Sequence, residues 1–461
     1  MKALVFDTTL GSWDSTRGFE LQDVPAPVLD EQKDPADAER VLIRVHYAGV
    51  CGSDRGIWNR TAFKDQILGS LATEKKERRI IGHEFFGEIV KIGSKVSQTN
   101  SPLTKGETRI HGASQDLERP SSDAKGVQLR YGETHSYVRG VVPPLSVGDF
   151  VSCESHVVCN KCFQCLAGEK HVCTNEKILG ISHDGGFAEF VKVPSHIVWK
   201  TDTKKIRPEI AACQEPFGNA VHAATKVPLK DKTIAIFGLG PIGLFLSLVA
   251  RGLGAKTIIG IEPNPVSQDM ARRLGIDYVI PLSPLVKGVS PSSAGRVVSP
   301  SSSAGGLLQP PPRGLGTPFT KGDHHRNEDV VAHIEELTKG LGVDVAFEMS
   351  GFNSSFNNCL FSTRRGGHVI AFGIKSGDFV LEDYNRFIVR GITIHAIIGR
   401  RLFETWETTK KLLEDTSNGI QEKIWNVILN QGKDTVLPLR EYTKEVFEKK
   451  MSEHPKILLE I

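Results

Sequence analysis

Residues 232–265 read KTIAIFGLGPIGLFLSLVARGLGAKTIIGIEPNP, and they carry the clearest fold signal in the chain. A short apolar run that ends at Phe237 predicts a strand, and the glycines after it predict a tight turn. A longer apolar segment then predicts a helix, and the run TIIGIE predicts a second strand that ends at Glu262. Strand, turn, helix and strand in this order are typical of a parallel α/β sheet.

The glycines of this turn have the spacing G-x-G-x-x-G. In that pattern the glycines permit the tight turn, the close approach of a pyrophosphate and the packing of helix on strand, and the phosphates meet amides at the helix N-terminus. Glu262 follows Gly243 by 19 residues. A carboxylate there can accept both ribose hydroxyls of NAD and repel the extra phosphate of NADP; the alternative is a surface acid that ends a strand. The predicted NAD site comprises Gly238, Gly240, Pro241, Ile242, Gly243 and Glu262.

Other apolar runs place this stretch in a larger plan. The runs 346–351, 366–374 and 391–399 read as further short strands separated by helical lengths, which extends the parallel sheet. Residues 1 to about 200 instead contain short apolar runs and turns, such as RVLIRVHYAGV at 40–50, and predict a barrel-like β domain. FETWETTKKLLEDTSNG at 403–419 predicts an amphipathic helix that stops at glycine.

The overall composition narrows the classes of function. A chain of 461 residues with 39% hydrophobic residues can form two or three domains with a sizeable core. The net charge of +3, with acids and bases interleaved, does not fit a dedicated nucleic-acid surface. No apolar run is long enough to predict a membrane span, and the start MKALVF lacks the plan of a signal peptide. We therefore expect a cytoplasmic protein, where clustered cysteines favour metal over disulfides.

Two segments do not fit a packed domain. Residues from about 98 to 143 are polar and irregular, and residues from about 283 to 325 are rich in Ser, Pro and Gly. The second segment cannot bury enough apolar area to offset the entropy of ordering, so it predicts a disordered insertion. We interpret both segments as surface loops inserted into the two domains.

The densest cysteine cluster has the spacing C-x2-C-x2-C-x7-C. Thiolates at such short separations can surround one tetrahedral ion, and four sulfurs suit zinc. Four protein ligands leave no open position, so this zinc would be structural. Free buried thiols and an iron–sulfur cluster are the alternatives. The four residues are Cys159, Cys162, Cys165 and Cys173.

A second, scattered set of residues could hold a catalytic metal. CGSD offers Cys51, GHEFFGE offers His83 and Glu84, and QEPFGN offers Glu215. One thiolate, one imidazole and one or two carboxylates form a mixed site that leaves room for water or substrate. Spacing alone supports this set weakly, because a single cysteine is more often a core residue and His-Glu pairs are common.

These motifs together resemble the zinc-dependent medium-chain dehydrogenases. The resemblance rests on CGSD, GHEFFGEIVKIG, VGDFV, the four-cysteine lobe, GGFAEFVKVP, the glycine-rich turn and GGHVIAFG, and it covers nearly the whole chain except the two insertions. It implies a GroES-like β-barrel catalytic domain at 1–219, a Rossmann domain at 220–398 and a return to the catalytic domain at 399–461. It also implies a catalytic zinc at Cys51, His83 and Glu84, with Glu215 or water completing the shell, a structural zinc at the four cysteines, and a homodimer or homotetramer.

Within that family, three features resemble the threonine-oxidising members. EPFGNAVHAA, GRRLFETW and His156, three residues before the first lobe cysteine, look like segments of those enzymes. The resemblance implies that His156 contributes to substrate recognition, and Glu154 is placed beside it by position. Two other functions stay open: a dehydrogenase for a polyol such as sorbitol or for 2,3-butanediol, and an NAD-binding scaffold without turnover.

The sequence departs from the family pattern at one point. The family usually continues C-G-[ST]-D-x-H, where the histidine helps to carry the proton away, but here Gly56 occupies that position. Ser53 is retained, so the first step of the proton relay survives. Arg55 cannot act as a base, because a guanidinium stays protonated. The proton must then pass directly to solvent or to another histidine, for which His156 is the candidate.

Overall fold

The computed structural model describes residues 1–96, 144–282, 327–374 and 378–461. Both predicted insertions, at about 98–143 and 283–325, lie outside the described residues. No helix in the part of the chain described is long and apolar enough to cross a membrane.

The first part of the chain forms short, mainly antiparallel strands. A three-stranded sheet has the order β2-β1-β4, and β7 pairs with β8. A larger sheet contains β10-β6-β5-β3, with β9 also paired to β3. The strands are β1 (Lys2–Asp7), β2 (Glu20–Asp23), β3 (Arg40–Gly49), β4 (Arg78–Ile80), β5 (Glu84–Ile92), β6 (Phe150–Cys153), β7 (His156–Val157), β8 (Lys177–Ile178), β9 (Phe190–Pro194) and β10 (Val198–Lys200). The helices are α1 (Gly52–Trp58), α2 (Lys64–Glu74), α3 (Phe163–Leu166), α4 (Pro208–Ala211) and α5 (Gln214–Ala224).

The second part is a parallel α/β sheet of six strands in the order β13-β12-β11-β14-β15-β16. Numbered within this domain, the order is 3-2-1-4-5-6, which is that of doubly wound dinucleotide-binding folds. This confirms the predicted fold class. The strands are β11 (Thr233–Phe237), β12 (Thr257–Glu262), β13 (Tyr278–Pro281), β14 (Val343–Glu348), β15 (Thr363–Ala371) and β16 (Thr393–Ala396). The helices are α6 (Pro241–Gly252), α7 (Pro265–Leu274), α8 (Glu328–Leu337), α9 (Asn353–Ser362) and α10 (Tyr384–Val389).

The C-terminal part returns to the first sheet. Its last strand, β18, pairs antiparallel with β3 in a register that places Leu458 opposite Gly49, and β17 extends the sheet beyond β18. The elements are α11 (Glu404–Glu414), α12 (Ile420–Lys423), β17 (Val436–Pro438), α13 (Lys444–Glu453) and β18 (Leu458–Glu460). The predicted amphipathic helix is α11, and the glycine stop, Gly419, follows one further short turn. The domain boundaries at 219 and 398 stay predictions.

One apolar cluster joins the two sheets. It contains Phe86 of β5, Phe217 of α5 and Phe245 of α6, each at most 1% exposed. The rings of Phe217 and Phe245 meet edge to face, with centroids 5.7 Å apart. Helix α6 is apolar on nearly every side because it packs between its own sheet and α5. The two sheets therefore share one hydrophobic core.

Candidate metal centre and cofactor site

The scattered candidate ligands converge in the structure. Cys51 is the N-cap of α1, His83 directly precedes β5, and Glu84 begins that strand. Strand β5 pairs with β3 so that Glu84 lies opposite Gly49, two residues before Cys51. One ligand atom each from Cys51, His83 and Glu84 therefore lie within 4.8 Å of one another.

A buried carboxylate supports this cluster. Asp54 accepts a hydrogen bond from the backbone amide of Cys51 at 2.9 Å, and its other oxygen lies 3.7 Å from Nδ1 of His83. Burial raises the pKa of Asp54 to about 6. Burial alone would lower the pKa of His83, but Asp54 and Cys51 raise it well above its usual value. A carboxylate behind a ligating histidine orients the ring and increases its basicity. The sequence reading missed Asp54, although the D of CGSD was the available signal.

The donor set fits zinc. A thiolate, an imidazole and a carboxylate are the ligands of an open catalytic site with three protein ligands. Glu84 also forms a buried ion pair. Nζ of Lys456 contacts its Oε2, and both side chains are 1% exposed. A side chain at position 49 would place a Cβ 2.4 Å from this oxygen, so the backbone at Gly49 closes the site on one side. Since a carboxylate offers two oxygens, Oε1 can still face a metal.

Glu215 lies beside this cluster but in a different contact. Its Oε1 accepts a hydrogen bond from Ser155 at 2.7 Å and lies 2.7 Å from Nη1 of Arg400. Among the described residues, the group able to hold a metal near Cys51 contains only His83 and Glu84 besides it. The structure thus brings three of the four predicted ligands together and places the fourth in an ion pair next to them.

Glu154 and His156 are joined by a hydrogen bond from the backbone amide of His156 to Oε1 of Glu154 at 3.1 Å, but their side chains have different main partners. Both oxygens of Glu154 contact the guanidinium of Arg400, and Trp406 donates to Oε2 at 2.9 Å. Burial alone would raise the pKa of Glu154, but Arg400 lowers it to about 2. His156 shares a hydrogen bond of 2.7 Å between its Nδ1 and the carboxylate of Glu176. Glu154 is therefore an internal counter-ion, whereas His156 is only partly buried.

Ser53, the predicted first residue of the proton relay, lies at the candidate metal centre. Ser53 Oγ lies 3.4 Å from Nε2 of His83. At Gly56, the position of the absent histidine, an added Cβ would lie 2.8 Å from the Cβ of Ala62. A histidine therefore does not fit there unless Ala62 moves. Arg55 does not face the relay, because its guanidinium donates to the carbonyls of Met451, His454 and Pro455 at 2.6–2.8 Å.

The four lobe cysteines form a second group. One sulfur from each lies within 4.8 Å of the others, and Sγ of Cys173 is 3.5 Å from Cys159 and 3.8 Å from Cys162. All are free thiols in the structure. A backbone hydrogen bond from Cys165 lowers the pKa of Cys162 to about 5, which favours the thiolate. Four convergent sulfurs fit a closed structural zinc site.

The glycine-rich turn has the features of a dinucleotide loop. Gly238 has a φ of +100°, which favours glycine, and an added Cβ at Gly243 would lie 2.1 Å from the carbonyl oxygen of Gly238. An added Cβ at Gly240 would meet nothing within 4 Å, so open space lies above the N-cap of α6. Pro241 and Ile242 form the first turn of that helix. A pyrophosphate fits this arrangement.

Glu262 ends β12 beside the same loop. Its Oε2 accepts the backbone amide of Leu239 at 2.7 Å, and its Oε1 accepts that of Asn264 at 2.9 Å. Burial raises the pKa of Glu262. Each carboxylate oxygen has a further lone pair that a ribose hydroxyl can use.

Comparisons with known proteins agree with these observations. Residues 37–108 and 126–203 match the family model of the alcohol dehydrogenase GroES-like domain, and residues 321–415 match that of the zinc-binding dehydrogenases. An L-threonine 3-dehydrogenase from Pyrococcus horikoshii is 32% identical over 86% of this chain and 84% of its own length. Another, from Caldanaerobacter subterraneus, is 30% identical over 91% and 90%.

The structural comparison gives the same fold. The crystal structure of 2R,3R-butanediol dehydrogenase from Bacillus subtilis superposes with a TM-score of 0.65, covering 100% of this chain and 99% of that one, at 21% identity. The likeness at this identity concerns the fold alone. With the two relatives above, it confirms the predicted GroES-like and Rossmann domains. The chain belongs to the zinc-binding medium-chain dehydrogenase family, whose members are oxidoreductases of the alcohol dehydrogenase type.

Proposed function

We propose that this chain oxidises the secondary hydroxyl of L-threonine to give 2-amino-3-oxobutanoate, with NAD as hydride acceptor and zinc held by Cys51, His83 and Glu84. The convergence of these three side chains carries the proposal. The relatives named L-threonine 3-dehydrogenase support the choice of substrate. The geometry of the glycine-rich turn and of Glu262 supports the choice of NAD.

Zinc at this site would supply a Lewis acid that lowers the pKa of the substrate hydroxyl. Asp54 would orient the ring of His83, since its Oδ1 lies 3.7 Å from Nδ1 of that ring, and Ser53 would accept the released proton. Among the described residues, Glu215 does not belong to the group of ligand atoms around Cys51, and its Oε1 is held by Ser155 and Arg400. We therefore assign the fourth ligand position to water or substrate rather than to Glu215. The core that the two sheets share supports a cofactor bound at the glycine-rich turn and acting with this site.

We assign the second step of the proton path to solvent. Ala62 fills the space in which a histidine at Gly56 would begin. His156 stays the alternative acceptor, but its Nδ1 is engaged by Glu176. Proton transfer from Ser53 to solvent therefore requires less movement of side chains than transfer to a histidine.

A polyol or 2,3-butanediol is the second candidate substrate, and Glu154 favours it. A threonine site needs an anionic group for the substrate ammonium, and the contacts of Glu154 with Arg400 and Trp406 occupy that carboxylate. A diol has no ammonium and does not need it. An NAD-binding scaffold without turnover fits less well, since the metal-ligand group is complete without any further residue.

The test measures NADH formation with L-threonine, sorbitol and 2,3-butanediol, with and without a zinc chelator. We expect chelator-sensitive NADH formation that is fastest with L-threonine. Faster oxidation of sorbitol or of 2,3-butanediol would contradict the choice of L-threonine as the substrate. The Cys51→Ser variant should lose turnover and one of two zinc ions while it still binds NADH. Retained turnover in that variant would remove the catalytic metal from the proposal.

We also propose a homodimer or homotetramer. Strand β16 lies at the edge of the parallel sheet, and Ile394 within it is 37% exposed. The predicted pairing segment, 391–399, contains this strand. Sedimentation or scattering in solution measures the number of chains.

A further inference from the structure

Arg55 follows Asp54 on helix α1, and its side chain connects this helix to the C-terminal segment. Arg55 Nη1 donates to the carbonyl of Met451 at 2.6 Å. Its Nη2 donates to the carbonyls of His454 and Pro455 at 2.7 and 2.8 Å. These carbonyls belong to the last turn of α13 and the two residues after its end, where a helix leaves acceptors without partners. A cation is also favourable at the negative end of a helix dipole.

Lys456 follows Pro455 in the chain and contacts one of the proposed metal ligands. Its ammonium contacts Oε2 of Glu84 and donates to the carbonyl of Val50 at 3.3 Å. The amide of Val50 donates in turn to the carbonyl of Ile457 at 3.0 Å. The segment from Met451 to Ile457 is therefore joined to residues 50–55 in three ways: by the carbonyls that Arg55 contacts, by Lys456 and by the carbonyl of Ile457.

We propose that Arg55 is a positioning residue for the metal site, and that it acts by fixing the C-terminal segment so that Lys456 holds one oxygen of Glu84. This rests on the proposed function, because it requires a metal at Cys51, His83 and Glu84. With Oε2 held by the ammonium, Oε1 of Glu84 is presented to the ion in one orientation. The guanidinium of Arg55 contacts backbone carbonyls and no side chain of the three proposed ligands. This role gives Arg55 a function in the site even though a guanidinium cannot act as a base.

The test is zinc affinity, measured by competition with a chelator and counted as zinc per chain. Loss of a residue that orients a ligand costs about 10- to 100-fold in metal affinity. We expect Arg55→Met to release the zinc of the mixed site at a chelator concentration at least about tenfold lower than wild type, with the four-cysteine zinc retained. Arg55→Lys should fall between the two, because a single ammonium reaches fewer of the three carbonyls.

Arg60→Met is the matched control. Arg60 also donates to backbone carbonyls, those of Ile57 at 2.6 Å and Gly18 at 2.9 Å, but it ties α1 to the N-terminal segment. It should keep the wild-type zinc affinity whatever it costs in stability. Equal losses of zinc in Arg55→Met and Arg60→Met would reduce the role of Arg55 to general support of the fold and overturn the proposal.

A double-mutant cycle separates positioning from packing. If Arg55 acts through Lys456, Arg55→Met should change zinc affinity less than about twofold once Lys456→Met is present, since residues coupled through the same backbone segment have non-additive effects. A tenfold effect in both backgrounds would contradict the proposal.

Hydrogen exchange gives an answer even where Lys456→Met fails to fold. Arg55→Met should accelerate exchange at the amides of His454, of residues 456–460 and of Val50, and Arg60→Met should not. Unchanged exchange there would overturn the tether. A wild type that binds one zinc would instead refute the metal site itself, and Cys51→Ser identifies that case because its zinc content would not fall.

Discussion

Arg400 Nη1 lies 2.7 Å from Oε1 of Glu215, and the same guanidinium forms a buried ion pair with Glu154. One guanidinium from the GRRLFETW segment therefore forms ion pairs with two carboxylates of the first domain. Burial alone would lower the pKa of Arg400, but the two carboxylates raise it far above the usual value. Nη1 also donates to Asn219 at 2.9 Å, in the EPFGN segment. The two segments that resemble threonine-oxidising enzymes are thus in direct contact.

The first prediction concerns stability. Arg400→Met should reduce the free energy of unfolding by about 3–5 kcal/mol, because it leaves buried carboxylates without a partner. Denaturant unfolding measures the change. Arg401→Met is the matched control, since among the described residues Arg401 forms an ion pair with Glu404 alone, and both are about half exposed (47% and 52%). An exposed pair contributes about 0–1 kcal/mol, so similar losses in the two variants would contradict the assignment.

The second prediction concerns pH. The pKa of Glu154 is about 2 in the folded chain, below its unfolded value, because Arg400 outweighs the effect of burial. A group with a lowered folded pKa stabilises the fold above its unfolded pKa of about 4.3 and loses that contribution as the pH falls towards 2. The difference in unfolding free energy between wild type and Glu154→Gln should therefore shrink between about pH 4.3 and 2. A difference that stays constant over this range would exclude an ionised Glu154.

The third prediction concerns the choice of cofactor. Glu262→Gln should raise the dissociation constant of NADH about tenfold and weaken the preference for NADH over NADPH, because a hydrogen bond to a charged group contributes about 1.5–3 kcal/mol. Fluorescence titration measures both constants. Glu348→Gln is the control: Glu348 ends β14 and accepts the amides of Ser350 and Gly351 at 2.8 and 3.0 Å. Its variant should keep the wild-type preference between the two cofactors.

The fourth prediction separates the roles of two glycines. Gly240→Ala should leave the melting temperature unchanged and weaken NADH binding, because the added Cβ meets open space where the pyrophosphate would lie. Gly243→Ala should destabilise the fold by about 1–3 kcal/mol, since overpacking forces the backbone to move. Thermal unfolding and NADH titration of both variants check this. Wild-type NADH affinity in Gly240→Ala would place the pyrophosphate elsewhere.

The fifth prediction concerns the lobe. Cys165→Ala should lower the zinc content from two ions per chain to one and make residues 158–176 susceptible to proteolysis, because a structural zinc contributes directly to folding. NADH binding should persist, since the glycine-rich turn lies in the other domain. Cys359→Ala is the control, because Cys359 is a buried thiol on α9 outside the four-sulfur group. Loss of zinc from that variant would point to general destabilisation.

The sequence by itself determined the features that depend on local spacing. The G-x-G-x-x-G turn, the strand before it and the acid after it defined the parallel sheet, because each acts through its immediate backbone. The four cysteines determined their own cluster in the same way, since their ligand atoms are separated by only a few residues.

Tertiary structure alone decided which distant charges meet. Cys51 and Glu84 are brought together by the pairing of β3 with β5, and Lys456 joins them because β18 returns to β3. No local sequence pattern predicts these contacts, because they depend on the register between strands that are far apart in the chain. The same limit applies to Glu154, whose place beside the substrate stays a prediction. Its oxygens face Arg400, 246 residues away, and only the folded chain determines that contact.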